Sequence, residues 1–141
     1  VFNKIGITPE ACSSWFLPRI VGISQALEWV YTGDILKADE ALAGGFVKAV
    51  VPADALLEEA YKIARRIAQH SPVAIALTRQ MMYRNAAQDH PIEAHKVDSL
   101  AIFYASQKSG KEGVASFLEK RAPVFTDKVS SDMPPFYPWW K

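Results

Sequence analysis

The chain has 141 residues and a formal net charge of +1, from 16 basic and 15 acidic side chains, and half of it is apolar. That length suits one domain with a core of its own, and near-balanced charge argues against nucleic acid as a partner. No apolar run approaches the ~20 residues a membrane helix requires, and Cys12, the single cysteine, leaves no internal disulfide, which fits a reducing, cytoplasmic setting.

The opening residues, Val1-Phe2-Asn3-Lys4-Ile5, have neither a signal-peptide layout nor an initiator Met. Residues 1–7 read as the end of a core strand or its exit loop. Glu10 is the only acid in the first 27 residues. Thr8 suits an N-cap and Pro9 the first helical position, where its missing N–H is no loss. The pattern predicts a helix over 9–17, stopped or kinked by Pro18. Glu10 then falls in the first turn, where an acid offsets the positive helix end by roughly 0.3–1 kcal/mol. Trp15, Phe16 and Leu17 are most simply core.

Ser24 is the expected cap of a helix running through Tyr31, with Gly33 suited to the residue just beyond it. A short helix at 38–43 ends at Gly44-Gly45. Phe46-Val47-Lys48-Ala49-Val50-Val51 has the composition of a strand, closed by Pro52. A lone strand cannot satisfy its own ladder, so residues 1–6 or another chain must pair with it.

Asp54 opens a helix to about Gln69, whose face of Glu58, Glu59, Lys62, Arg65 and Arg66 reads as solvated, with i,i+4 pairs. Ser71-Pro72 is a cap followed by proline at the first helical position, opening a helix to about Asn85. Pro91 opens another through Gln107, apolar on two adjoining faces, which suggests contact with both its own domain and a partner. His70, His90 and His95 lack the mutual spacing of a metal site. Ser109-x-x-Glu112 has the form of a capping box, and the helix after it is expected to turn Val114, Phe117 and Leu118 inward. The tail from Ser130 holds three of the nine prolines and four aromatics. It is expected to be non-helical and to lie across a surface of this subunit or another.

Several short motifs, in order and in register, carry a resemblance. They are Phe2-x-x-x-Gly6-x-x-Pro9-Glu10-x-x-Ser13-Ser14, Thr32-Gly33-Asp34, Ala38-Asp39-Glu40-Ala41, Gly45-Phe46-Val47, Val51-Pro52, Glu59-Ala60, Ile67-Ala68-x-x-Ser71-Pro72 and Glu112-Gly113-Val114-Ala115-Ser116-Phe117-Leu118-Glu119-Lys120-Arg121. Over residues 2–126 the chain resembles the C-terminal half of the enoyl-CoA hydratase/isomerase (crotonase) family, and most closely its isomerase-type members. The resemblance implies a fragment. Its fold is mainly α with a minor β element, being the C-terminal portion of the ClpP/crotonase-like α/β spiral plus its helical trimerisation region. Residues 1–52 are then the end of the spiral core, with the Glu10 helix and strand 46–51. Residues 53–126 are the trimerisation region, and 127–141 a Pro/aromatic tail.

The chemistry implied is proton transfer through a thioester enolate of an acyl-CoA. Of the two glutamates of the hydratases, one lies upstream of residue 1 and the other falls at Phe2, which has no acid–base chemistry. Glu10 instead matches the acid of some isomerases, which convert a 3-enoyl-CoA to the trans-2-enoyl-CoA. The resemblance also implies that Trp15 and Phe16 line the acyl pocket, the alternative to a plain core role, and such apolar neighbours would raise the basicity of Glu10. Phe117 and Lys120 match positions that meet the CoA of a neighbouring subunit, although Phe117 also suits a core and Lys120 a last helical turn. The expected partners are an acyl-CoA thioester and further copies of the chain, as a trimer or dimer of trimers. No metal and no cofactor beyond CoA itself is implied. The family's oxyanion donors lie in its N-terminal half, so the alternatives are a hydratase and a non-catalytic helical oligomerisation module.

Overall fold

Eight α-helices and two 3-10 turns account for the regular structure of the described residues, 2–138, of the computed structural model. They fall into two units, Val1–Leu56 and Leu57–Lys141. The first holds a 3-10 turn (Phe2–Ile5), α1 (Ser13–Val21), α2 (Ile23–Thr32), α3 (Ala38–Ala43) and a second 3-10 turn (Ala53–Ala55). Both α1 and the opening turn pack on α2, whose Ala26 is buried, as is Ala41 of α3.

The first helix starts four residues later than Thr8-Pro9 predicts. Ala11 and Cys12 take positive φ values of 53° and 60°, which breaks the helical path at about 1–2 kcal/mol per residue. The Glu10 carbonyl is capped from the far side of that turn, accepting from the Ser13 N–H at 3.0 Å and the Ser13 hydroxyl at 2.5 Å. Pro18 does not end α1. The helix loses one donor there and resumes, with the Gly22 N–H reaching the Pro18 carbonyl at 3.0 Å. Ser24 caps nothing, because Gly22 occupies the N-cap of α2. Gly33 does end α2, with φ 60° and its N–H on the Trp29 carbonyl at 3.2 Å, a conformation that glycine adopts without steric cost.

The expected β element is absent: no strand occurs among the described residues. The physical reason is the missing partner. Of the two expected partners, another chain or residues 1–6, the second is taken up elsewhere, since Phe2–Ile5 are coiled into a 3-10 turn. The N–H groups of Phe46 and Val47 both turn back to the Ala41 carbonyl, at 2.9 and 3.3 Å.

In the second unit, α4 (Leu56–Ile67) leads to α5 (Pro72–Asn85), α6 (Pro91–Gln107), α7 (Ser109–Leu118) and α8 (Val129–Asp132). α5 packs on α6 and α8, and α6 on α7. Val73, Leu77, Val97 and Ala101 are buried between them. Ser71 caps α5 as its sequence predicts, accepting the Ala74 N–H at 3.1 Å. His90 caps α6, its Nδ1 accepting the Ile92 N–H at 3.1 Å. Asp127, distant in sequence, joins the start of α5. It accepts from the Ser71 hydroxyl at 2.6 Å and from the Val73 N–H at 3.3 Å.

The Ser109–Glu112 capping box does not form. Ser109 lies inside α7, with its hydroxyl 3.1 Å from that of Ser71, and Glu112 pairs with Arg121. Nor do Val114, Phe117 and Leu118 turn inward: they are 62%, 82% and 73% exposed. α7 approaches α6 through small residues instead. A Cβ at Gly110 would sit 2.9 Å from the Ala105 carbonyl oxygen, and the buried position is Ser116. The tail forms one helical turn, α8, where none was expected. Pro134 is fully buried beyond it, and Phe136 stands edge-on to Tyr104 with ring centres 6.0 Å apart. It thus lies on its own unit; Trp139 and Trp140 lie outside the described residues.

Asp127→Ala leaves the buried Ser71 hydroxyl without its charged acceptor. The expected cost is about 1–3 kcal/mol, read as a lower urea midpoint with an unchanged slope; a midpoint equal to the parent's would show that this junction holds nothing.

Candidate functional site

Glu10 sits on an exposed turn between Pro9 and Ser13, and both of these line a cavity of about 540 Å³ in the first unit. Its walls are mostly apolar: Leu17 and Pro18 of α1, Ile23, Leu27 and Val30 of α2, and Phe2 and Phe46 from the flanking segments. Asn3, Ser13, Ser14 and Asp34 supply the polar edge. Lys4 closes on Asp34 at 2.5 Å and holds that carboxyl below its ordinary range by hydrogen bond and charge.

Trp15 and Phe16 are not among the residues lining this cavity. They stand edge-on to each other at 4.8 Å, and the Arg19 guanidinium lies over Trp15 at 3.9 Å. Leu17, their neighbour, is in the wall. A further element was hidden from sequence reading. Trp29 lines the cavity edge-on to Phe46, with ring centres 6.3 Å apart, and its enclosed Nε1 has no hydrogen-bond partner. Gly44 makes room for it, since a Cβ there would lie 2.6 Å from the indole. The pair Gly44-Gly45 signals a helix stop; only the tertiary contact shows why Gly44 itself has no side chain.

Phe117 and Lys120 belong to the second unit and are both exposed. Lys120 occupies the left-handed C′ position of α7, with φ 54°. Its N–H bonds the Phe117 carbonyl at 3.3 Å, and the Arg121 N–H bonds the Ser116 carbonyl at 3.0 Å. These are the two bonds of a Schellman motif, whose C′ residue is usually glycine. A lysine there costs about 1–2 kcal/mol, more than the 0.3–1 kcal/mol a cation gains from the helix dipole. The Arg121 side chain grips Glu112 with two bonds of 2.5 and 2.8 Å and Glu119 with one of 2.6 Å. Glu112 also accepts the Val124 N–H at 2.7 Å. The Arg121 bonds, then that N–H, bring the Glu112 carboxyl down to about 2 from its usual 4.5. No three His, Cys, Asp or Glu side chains converge as a metal site among the described residues.

The enoyl-CoA hydratase/isomerase family model matches residues 1–128, so the chain belongs to that family. It is 41% identical over 132 residues to an enoyl-CoA hydratase of Alternaria alternata, covering 91% of this chain and 44% of that protein. It is 38% identical over 128 residues to the crotonyl-CoA hydratase of Syntrophomonas wolfei, covering 88% and 48%. Among solved structures, the enoyl-CoA hydratase from Bacillus anthracis superposes with a TM-score of 0.83 at 31% identity, over 89% of this chain and 49% of that one. The chain thus spans about half the length of these relatives. No described helix is long and apolar enough to cross a membrane.

Gly44→Ala drives a methyl group into Trp29. It is expected to cost about 1–3 kcal/mol and to change the near-UV circular dichroism of the indole; an unaltered melting curve and spectrum would contradict the contact. Glu112, with its folded value lowered, stabilises the native state above about pH 4.5, and that contribution is lost as pH falls towards 2. Glu112→Gln is therefore expected to converge with the parent in urea stability over that window. Parallel curves from pH 5 downward would refute this.

Proposed function

We propose that this chain supplies the acid–base carboxylate, Glu10, of an enoyl-CoA isomerase that works through a thioester enolate. Glu10 removes a proton from C2 of a 3-enoyl-CoA, the electron pair delocalises into the thioester, and the proton returns at C4 to give the trans-2-enoyl-CoA. One observation carries the reading. Glu10 does not itself line the apolar cavity, but it lies between Pro9 and Ser13, which do, and it precedes two non-glycine residues in left-handed conformation; backbone strain of this kind clusters at functional sites. Phe2, in the wall of the same cavity, supports isomerase over hydratase, since it stands where a hydratase glutamate is expected.

In this reading Trp15 and Phe16 meet the acyl chain, and Phe117 and Lys120 meet the CoA of a neighbouring subunit in a trimer or dimer of trimers. The exposed Ile102 and Phe103 of α6 and Val114 and Leu118 of α7 are suited to such contacts. The reaction draws on no metal and no cofactor beyond the substrate's own CoA, and a single cysteine suits a cytoplasmic setting. Hydration of a trans-2-enoyl-CoA is the second reading, favoured by the names of the relatives.

In the full-length polypeptide, Glu10→Gln is expected to lower isomerisation of a short 3-enoyl-CoA by roughly 100- to 10,000-fold. Turnover close to the parent's would end the assignment. Crotonyl-CoA hydration that outpaces isomerisation in the parent would favour the hydratase.

A further inference from the structure

The turn that carries Lys120 is built against its own residue. Its backbone has the two hydrogen bonds of a Schellman motif, yet lysine holds the left-handed position, at φ 54°. The next residue is firmly anchored. Arg121 has four side-chain bonds, two to Glu112 and one each to Glu119 and the Ala122 carbonyl. Glu112 in turn ties down the chain beyond the turn through the Val124 N–H. Arg121 and Glu112 are thus joined across the turn, and the residue between the anchored ends is the exposed Lys120. One turn back along α7 stands Phe117, 82% exposed.

Strained backbone persists only where its surroundings over-determine it, and such places cluster at ligand clamps and other functional sites. We infer that the Arg121–Glu112 pair is a positioning device that presents the Lys120 ammonium, in register with the Phe117 ring, to a nucleotide carrying phosphate groups. The ring offers a stacking face to the base and the ammonium a point charge to a phosphate. Fixing the turn beforehand removes the ordering cost from the binding step. The ligand class rests on the CoA contact proposed above. The role of Glu112 and Arg121 does not follow from that contact and is tested apart from it.

The test is an NMR titration of the isotope-labelled chain with 3′-phosphoadenosine 5′-diphosphate, the nucleotide of CoA, at millimolar concentrations. The parent should show shifts concentrated at 117–121. Lys120→Ala should weaken binding roughly five-fold, as for loss of one exposed charge contact. Glu112→Gln and Arg121→Gln, which leave Lys120 and Phe117 in place, should each weaken it roughly two- to five-fold while the rest of the spectrum stays dispersed. Lys120→Gly should lose affinity and raise the melting temperature by on the order of a few °C as the strain is relieved.

If the parent does not bind, or Lys120→Ala binds as the parent does, the CoA contact itself is wrong and the inference falls with it. If Lys120→Ala weakens binding while folded Glu112→Gln and Arg121→Gln bind normally, the contact stands and the positioning role is overturned. A lower melting temperature for Lys120→Gly would remove the strain from the argument and overturn the device in this form.

Discussion

The Ser71 hydroxyl has one proton, and where it goes organises the second unit. An ionised carboxylate only accepts, so the hydroxyl keeps its proton and directs it at Asp127, 2.6 Å away. The lone pairs then remain for the Ala74 N–H and the Ser109 hydroxyl. One buried atom thereby ties the start of α5 to the start of α7 and to the segment entering the tail. Ser71 is 4% exposed, so each of these bonds is made where water does not compete. The packing of α8 on α5 and the burial of Pro134 follow in the chain from that anchor.

What was legible in the sequence was local. Ser71-Pro72, Pro91 and Gly33 each carry their structural meaning within three or four residues, and each boundary they mark is found in the fold. The capping box failed because both of its members had stronger partners elsewhere: Ser109 meets Ser71, and Glu112 meets Arg121. Nothing within four residues announces either contact. Strand 46–51 has the right composition and no partner, which is a property of the rest of the fold and not of the segment. The inward face of α7 was misassigned because periodicity locates an apolar stripe without saying what it faces. Here small residues meet α6, and the large apolar ones are left outside.

The candidate site was legible to a different degree. Glu10 stands out in the sequence as the lone acid beside a helix-start signal; in the structure its neighbours Pro9 and Ser13 line a cavity and Glu10 itself does not. The left-handed pair at Ala11 and Cys12 was not visible, since neither residue type advertises that conformation. Trp29 and Gly44 were missed for the same reason that Glu112 was: the contact joins positions fifteen residues apart with no pattern between them. Lys120 stands out in the sequence for its place in a motif and for its charge, whereas the left-handed backbone that distinguishes it from an ordinary surface lysine is visible only in the structure.

The outward-facing apolar side chains have a thermodynamic consequence. With Phe117 and Leu118 open to water, folding of the second unit leaves much of its hydrophobic driving force unused. Anything that covers those side chains and ignores the unfolded chain adds to the stability by mass action. Where a second copy or a partner covers them, the midpoint of unfolding becomes a function of its concentration, in addition to the internal contacts of the chain. A substitution on that surface can appear neutral in dilute solution and harmful in a crowded assembly, or the reverse, without altering a contact within the chain.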